Sequence, residues 1–301
     1  TNTLMPSGAP NSLNGSWTTS TTITDVAGNT GAASPGSFTL DTTPPSAPSV
    51  SLTESPNGVS ATEAASDGGT PIVTTLPADV KVGDTVTTVV TGPNNTTLTL
   101  TTVLTAANLP PSQGGTATGS GPFTISQLIP TNTLRPSGAP DSLNGAWSTS
   151  TTITDVAGNT GAAAQGSFTL DTTPPATPSV ALPESSSGVS AAEAASDGGT
   201  PIVTTLSTDL KVGDTVTTVV TGPNNTTLTL TTVLTAANLP PSQGGTATGS
   251  GPFTISQLIP TNTLMPSGAP NSLNGSWTTS TTITDVAGNT GAASPGSFTL
   301  D

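Results

Sequence analysis

The sequence predicts an all-β fold, a run of antiparallel β-sandwich modules in tandem, and three observations predict it. A long stretch recurs at a fixed period, apolar residues alternate with Thr along short runs, and Gly, Pro, Asn and Asp separate those runs. Thr1-Asn2-Thr3-Leu4 returns at Thr131 and at Thr261, a period of 130 residues. Lys81–Leu134 is repeated without change at Lys211–Leu264, and Thr1–Asp41 is identical to Thr261–Asp301. Self-similarity at a fixed period is the signature of a copied structural unit, and such close identity implies recent duplication and further copies in the parent protein.

The joint is placed at Leu40-Asp41-Thr42-Thr43-Pro44-Pro45 and again at Leu170 to Pro175, where a strand ends and consecutive prolines stiffen the exit. Cutting there gives a partial unit, 1–41, and two whole units, 42–171 and 172–301. The partial unit lacks its first strands and is expected to be marginal alone unless a neighbouring copy supplies the missing edge.

Within 42–171 the elements follow in order. Val50 and Leu52 open the unit; Ile72, Thr74 and Leu76 form a second run; Val86, Thr88 and Val90 form a third. Leu98, Leu100 and Leu104 share the next face, followed by Phe123 with Ile125, Trp147 to Ile153, and Phe168 with Leu170. About seven short strands, with turns at Gly83-Asp84, Pro93-Asn94-Asn95 and Gly158-Asn159, read as an antiparallel sandwich. Thr suits such strands because its β-branched side chain is stiff and packs on a pleated, half-buried surface. No segment carries a long 3.6-residue period, and Thr105–Leu109 makes one turn at most. Trp17, Trp147 and Trp277 begin alternating runs and are read as core or core-edge residues, with Phe38 and Phe168 as core. The segment Pro110–Ala146, richer in Gly, Pro and Ser, is read as ordered loop on one edge of the sandwich, apart from the strand entered at Gly121-Pro122-Phe123.

Charge narrows the function. The chain carries a formal net charge of -14, with no Cys and no His, and Lys81, Arg135 and Lys211 are its only cationic side chains. Phosphate neutralisation needs clustered Lys and Arg, so nucleic acid is excluded as a partner. No apolar run approaches the roughly 20 residues of a spanning helix, so membrane insertion by this segment is not expected. Thr1–Pro10 lack the basic and apolar regions of a signal peptide, and an export signal is expected elsewhere. Without His or Cys, Ser-His-Asp and Cys-His catalysis and the usual zinc sites are impossible, and the chain is read as not an enzyme. At 31% hydrophobic and 7% charged residues the composition is not that of a disordered chain.

Three signatures stand together: Asp41-Thr42-Thr43-Pro44-Pro45 at the joint, Gly58-Val59-Ser60-Ala61-Thr62-Glu63-Ala64 after the first strand, and Thr154-Asp155-Val156-Ala157-Gly158-Asn159-Thr160 before the last. With Lys81-Val82-Gly83-Asp84-Thr85-Val86, their order resembles the bacterial Ig-like tandem repeat of giant biofilm-associated and RTX-type adhesins of Gram-negative bacteria. The units are longer than most members, chiefly through Pro110–Ala146. The resemblance implies tandem antiparallel Ig-like β-sandwich domains in a linear array, type I secretion, a place on the bacterial cell surface, and repeats that act as extenders with Ca2+ at the joints.

In such a topology the acidic residues gather at the poles. Glu54, Glu63 and Asp67, with Glu184, Glu193 and Asp197 in the next unit, are expected at the pole facing the following domain. Asp41, Asp171 and Asp301 end each unit beside the prolines and are the candidates for coupling two domains. Asp25, Asp155 and Asp285 begin the last hairpin, closed by Asn159 and Asn289, at the pole facing back. Ca2+ takes six to eight oxygens at about 2.3–2.6 Å from carboxylates, amides, carbonyls and water, and these residues are its expected ligands. A plain alternative stands beside each: Asp155 and Asn159 as turn formers, Glu63 and Glu193 as solvated loop residues. Asp84 and Asp214 are read as turn residues, Asp79 and Asp209 as weak surface partners of the neighbouring lysines.

The reading is therefore a calcium-stiffened extender of an extracellular adhesin supporting adhesion and biofilm formation, whose partners are neighbouring repeats of the same chain. Two alternatives are an adhesive module in which Pro110–Ala146 binds a ligand, and a filament subunit that exchanges strands with other copies.

Overall fold

The computed structural model describes residues 11–54, 57–184, 188–249, 252–269 and 271–301, apart from the side chains of Asp67 and Asp197. The first strands in chain order are β1 (Gly15–Thr21), β2 (Ser34–Leu40), β3 (Ser49–Leu52), β4 (Gly69–Thr75), β5 (Thr85–Thr91), β6 (Thr97–Val103), β7 (Thr124–Pro130), β8 (Gly145–Thr154) and β9 (Ala164–Leu170). The following unit repeats the last seven as β10 (Ser179–Ala181), β11 (Gly199–Thr205), β12 (Thr215–Thr221), β13 (Thr227–Val233), β14 (Thr254–Pro260), β15 (Gly275–Thr284) and β16 (Ser294–Leu300). Among the described residues four short α-helices join them: α1 (Ala61–Ala65), α2 (Thr131–Leu134), α3 (Ala191–Ala195) and α4 (Thr261–Leu264). The fold is all-β, with antiparallel ladders arranged as tandem sandwich modules.

Two compact bodies form. The first comprises Thr1–Ser55, Asp67–Leu134 and Gly145–Phe168; the second comprises Pro56–Ser66, Arg135–Asn144 and Thr169–Asp301. They are offset from the sequence period, because α1 with its flanking residues and the segment 135–144 group with residues after Thr169.

In the second body a three-stranded sheet, β10-β11-β14, faces a four-stranded sheet, β13-β12-β15-β16. Alternation decides which side chains meet: in β12, Val216, Thr218 and Val220 are buried while Val219 and Thr221 face solvent. Two apolar clusters fill the space between the sheets. One gathers Val189, Ile202, Val220, Ile259, Leu264, Trp277, Phe298 and Leu300; the other gathers Leu206, Leu210, Val216, Leu234, Leu239, Ile255 and Ile283. The Trp277 and Phe298 rings stack with centroids 5.9 Å apart, and the Trp277 indole N–H donates to the Leu273 carbonyl at 3.1 Å. A Cβ on Gly222 would lie 2.6 Å from the Trp277 ring, so the indole occupies the room a side chain there would need. Thr218, buried in the same body, donates to Gln257 Oε1 at 2.7 Å, and the Gln257 amide donates to the Val216 carbonyl at 3.3 Å.

The first body holds the corresponding sheets, β3-β4-β7 and β6-β5-β8-β9, and additionally the two-stranded sheet β1-β2. Three expectations need correction. The strand expected inside Pro110–Ala146 is β7, which pairs along its whole length with β4, but the remainder is not all edge loop: α2 follows directly, and its Leu134 is fully buried. The alternation of Ile125, Gln127 and Ile129 continues the strand that Phe123 and Ile125 announce. Phe38, expected in the core, is 43% exposed and Trp17 is half-buried, because among the described residues β1-β2 carries no opposing sheet. Finally, the segment after the first strand is helical, for the reason given below.

Candidate functional site at the repeat junction

The junction is built from a helix cap, a hairpin and a clasp. In the second body Ser60 caps α1: its hydroxyl accepts from the Glu63 amide at 3.2 Å, while Glu63 Oε2 accepts from the Ser60 amide at 2.9 Å. This reciprocal box satisfies two of the donors that every helix N-terminus leaves without a partner. Ser190 and Glu193 repeat it at α3, and bonds from the Ser190 amide and hydroxyl hold the Glu193 carboxyl below the ordinary glutamate range. The spacing Ser-x-x-Glu before an Ala run is the sequence signal for this cap. It gives Glu63 and Glu193 a local task that neither the ligand nor the solvated-loop reading foresaw.

Asn289 ties the hairpin after β15 to the end of the preceding repeat. Its Nδ2 donates to the Asp171 carbonyl at 2.6 Å and to Asp285 Oδ2 at 2.9 Å, and its Oδ1 accepts from the Ala61 amide at 2.8 Å. Both amide protons and the carbonyl are used, and the residue is buried. In the first body Asn159 does the same with the Asp41 carbonyl at 3.0 Å and Asp155 Oδ2 at 2.9 Å. Asp155 and Asp285 also close their own hairpins by accepting from the Asn159 and Asn289 amides at 2.8 Å. Burial works upward on the Asp155 carboxyl, but bonds from the Asn159 side chain and from the Asn159, Ala157 and Gly158 amides outweigh it and hold the group below the usual aspartate value. Asp25 makes the equivalent turn with Asn29 in the exposed hairpin, and there the Asn29 side chain leads the lowering.

A clasp lies on the proline side. The Thr172 hydroxyl lies 2.6 Å from Asp141 Oδ1 and 2.8 Å from Asn144 Oδ1, and the Asn144 amide donates to Thr173 Oγ1 at 2.9 Å. Asn14 holds Thr42 and Thr43 in the first body, with 2.7 Å from the Thr42 hydroxyl to Asn14 Oδ1 and 2.8 Å from Asn14 Nδ2 to Thr43 Oγ1. Thr172 is thus held by direct bonds and is only 2% exposed.

Beside each clasp opens an acidic cleft. In the second body Asp171, Asp209, Lys211, Asp214 and Asp285 line a cleft of about 190 Å3. The first body repeats it with Asp41, Asp79, Lys81, Asp84 and Asp155 around a cleft of about 730 Å3. Lys211 Nζ stands 3.5 Å from Asp171 Oδ2. Asp79 and Asp209 do not serve the lysines as expected; they accept from the amides of Ser46 and Ala176 at 2.8 Å and so pin the segment after the two prolines. Asp84 and Asp214, read as turn residues, do close the turn at Lys81 and Lys211, and each also accepts from the next hairpin, at Val156 and Val286. Burial raises the Asp214 carboxyl above the usual range against the bonds from the Lys211 and Val286 amides, and the charge of Asp285 adds to the rise.

The structure thus brings Asp171 and Asp285 together, joins them with Asp209 and Asp214, and leaves Glu63 at its cap. Glu54 and Glu184 are half-buried and do not line the clefts. Asp301 is exposed, its amide donating to the Val189 carbonyl at 3.0 Å. The Asp67 and Asp197 side chains lie outside the described residues. Among the described residues no three acidic side chains converge closely enough to hold a metal ion. No helix among them is long and apolar enough to cross a membrane.

The model of the bacterial Ig-like domain family matches residues 1–42, 117–172 and 247–301. The matched range takes in 117–146, most of the stretch that the sequence set apart as an addition to the family pattern. No curated protein matches the chain. Among solved structures, the Ca2+-stabilised adhesin with which an Antarctic bacterium reaches out and binds ice is 25% identical, over 98% of this chain and 59% of that one, with a TM-score of 0.40. A 1.5-MDa bacterial ice-binding adhesin is 23% identical over 96% of this chain and 75% of that one, with a TM-score of 0.39. The fibronectin(III)-like modules of Clostridium thermocellum CbhA are 12% identical over 83% and 92%, at 0.36. The chain spans less than two thirds of the first of these structures.

Proposed function

This chain belongs to the family of bacterial Ig-like domains, and from that premise we propose that it is a run of non-catalytic extender modules in a bacterial surface adhesin, with residues 42–171 and 172–301 as whole modules and 1–41 as part of one. The observation that carries the reading is the junction: Asn289, in the last hairpin of one sequence repeat, bonds to Asp171 and Ala61 of the preceding repeat, and the clasp ties Asp141 and Asn144 of that repeat to Thr172, the first residue of the next. A catalytic or ligand-binding module does not need that coupling in every copy, whereas an extender does. The partners of each module are its neighbours along the chain. The parent protein is extracellular, on the bacterial cell surface, and adhesion and biofilm formation are its setting.

Calcium enters as the ion of the acidic clefts. The described carboxylates do not form a ready cage, and each is engaged: Asp171 with Lys211, Asp209 with Ala176, Asp285 with Asn289, Asp214 with two amides. A divalent ion is drawn there by four carboxylates against one lysine, and it would take the place of Lys211 beside Asp171. Asp214 favours this exchange, because an ion relieves the cost of holding its buried charge beside Asp285.

An ion bound only by the folded state stabilises by RT ln(1 + [L]/Kd), about 2.7 kcal/mol at a hundredfold excess over Kd. The expected result is a higher melting temperature and a longer maximum dimension in millimolar Ca2+ than in chelator, measured by calorimetry and small-angle scattering. Asp171→Ala should lower Ca2+ affinity at the joint between the two whole units and shorten the particle, leaving each sandwich folded and the Asp41 cleft to respond. Equal values in Ca2+ and chelator for the unaltered chain would refute the calcium part and leave the stiffness to the clasp and the prolines.

A further inference from the structure

Among the described residues of the second body, three of the four sheet edges are capped, short or closed by proline, and β13 is the exception. β16 is capped near its end by Val189, which donates to the Thr299 carbonyl at 2.7 Å and accepts from the Asp301 amide at 3.0 Å. β10 is three residues long, and β14 closes on Pro260, which has no N–H to donate. β13 is seven residues long and carries no Gly, Pro or charge, and among the described residues no strand pairs with its outer side. Sheet proteins ordinarily blunt such an edge with Lys, Pro, a bulge or a covering loop, because its open N–H and C=O groups template another strand.

The register identifies the open groups. Gly222 donates to the Thr226 carbonyl at 2.8 Å and Leu234 to the Asp214 carbonyl at 2.7 Å, so the even-numbered residues of β13 make the bonds to β12. Thr227, Thr229, Thr231 and Val233 therefore turn their N–H and C=O outward, and their side chains are exposed. Leu228, Leu230 and Thr232 point inward yet are only half-buried, whereas Val216, Thr218 and Val220 beside them in β12 are fully covered. β6 repeats the same sequence, register and open side in the first body.

The strand is complementary to itself. Two copies set antiparallel about Leu230 bring Thr229 against Thr231, Thr227 against Val233, Leu228 against Thr232 and Leu230 against Leu230, and all four outward residues of each find partners. The chain has a formal charge of -14, but residues 215–284 contain no Asp, Glu, Lys or Arg, and neither do residues 85–134 around β6. Like charges are thus kept off the edge where two copies would meet.

We propose that β13 and β6 are lateral docking edges for other copies of this chain, joined strand to strand in antiparallel register about Leu230 and Leu100, with no strand exchanged. Two such edges in one chain let weak pairings act together on tethered chains. The association needs no Ca2+, which separates it from the reading of the acidic clefts.

The test follows the 301-residue chain in chelator by sedimentation and amide hydrogen exchange up to about 1 mM, the order of concentration that tethering produces. The expected result is reversible association in which exchange at Thr229 and Thr231 slows by about tenfold or more, while Leu228 and Leu230, already bonded to β12, do not change. Thr99→Lys with Thr101→Lys should stop assembly at two chains, and adding Thr229→Lys with Thr231→Lys should leave monomers, because lysines then face lysines in both edges. With β6 blocked in that way, Thr229→Lys with Thr231→Glu should keep the two-chain complex, since each lysine then faces a glutamate. All of these side chains are exposed, so the melting temperature of each variant should match that of the unaltered chain. A monomer at every concentration would overturn the proposal, as would association that survives the four lysines or that leaves exchange at Thr229 and Thr231 unchanged. Loss of the complex in the Lys–Glu variant would overturn the register.

Discussion

Asn289→Ala isolates the junction. The substitution removes the donor to the Asp171 carbonyl at 2.6 Å, the donor to Asp285 Oδ2 at 2.9 Å and the acceptor of the Ala61 amide at 2.8 Å, but keeps the backbone bond from residue 289 to Asp285 Oδ1. A typical hydrogen bond contributes about 1 kcal/mol net, and a buried group left without a partner costs about 1–3 kcal/mol. The total is therefore about 2–5 kcal/mol. Ala61 is the first residue of α1, where no intrahelical acceptor exists for the N–H, so its protection depends on Asn289. Exchange at the Ala61 amide should accelerate about tenfold for every 1.4 kcal/mol lost. Asn159→Ala is the internal comparison, since Asn159 makes the bonds to Asp41 and Asp155. Among the described residues no counterpart of the Ala61 bond is recorded for it, so the effect should be smaller by about 1 kcal/mol or more. Urea unfolding and amide exchange on the two variants provide the measurement. If Asn289→Ala costs less than about 1 kcal/mol and leaves the Ala61 amide as protected as before, the junction is not held as described.

Two further outcomes follow from burial and charge. Trp277→Ala should cost about 3–5 kcal/mol in denaturant unfolding, as truncation of a buried aromatic does, whereas Trp17→Ala in the open hairpin should cost less than about 1 kcal/mol; equal costs would mean that the two hairpins share one environment. On acidification Asp155 and Asp214 act in opposite senses. The lowered Asp155 carboxyl contributes stability that is present above the ordinary aspartate value of 3.8 and fades as pH falls through its folded value. The gap between the unaltered chain and Asp155→Asn should close in that range. The raised Asp214 carboxyl favours the fold below 3.8, and that contribution is lost as pH rises through its folded value. Urea midpoints of the unaltered chain, Asp155→Asn and Asp214→Asn between pH 2 and 7 read both, and parallel curves for all three would contradict the assigned environments.

The sequence by itself determined the period, the strand content and the face of most strands. Alternation is a local property: Val86, Thr88 and Val90 share a face whatever packs on it, and Asn-Asn and Gly-Asn turns require backbone angles that few residues adopt. It also placed Asp41 and Asp171 beside the prolines that follow each unit, whereas Asp84 and Asp214, read as turn residues, and Asp79 and Asp209, read as surface partners of the lysines, line the same clefts. The Ser60–Glu63 cap was equally legible in the spacing Ser-x-x-Glu.

What the tertiary structure decided was which groups meet. Asn289 contacts Ala61 across 228 residues and the Asp171 carbonyl across 118, and no spacing rule encodes either pairing. Burial of Asp84 and Asp214 depends on the hairpins that close over them at Val156 and Val286, so a turn Asp and a cleft Asp look the same in sequence. The two hairpins of identical sequence make the limit plain. Trp17 and Trp277 have the same neighbours in the chain, yet one is half-buried and the other fully buried, because burial is set by the sheet opposite, and that sheet comes from residues far away in the sequence.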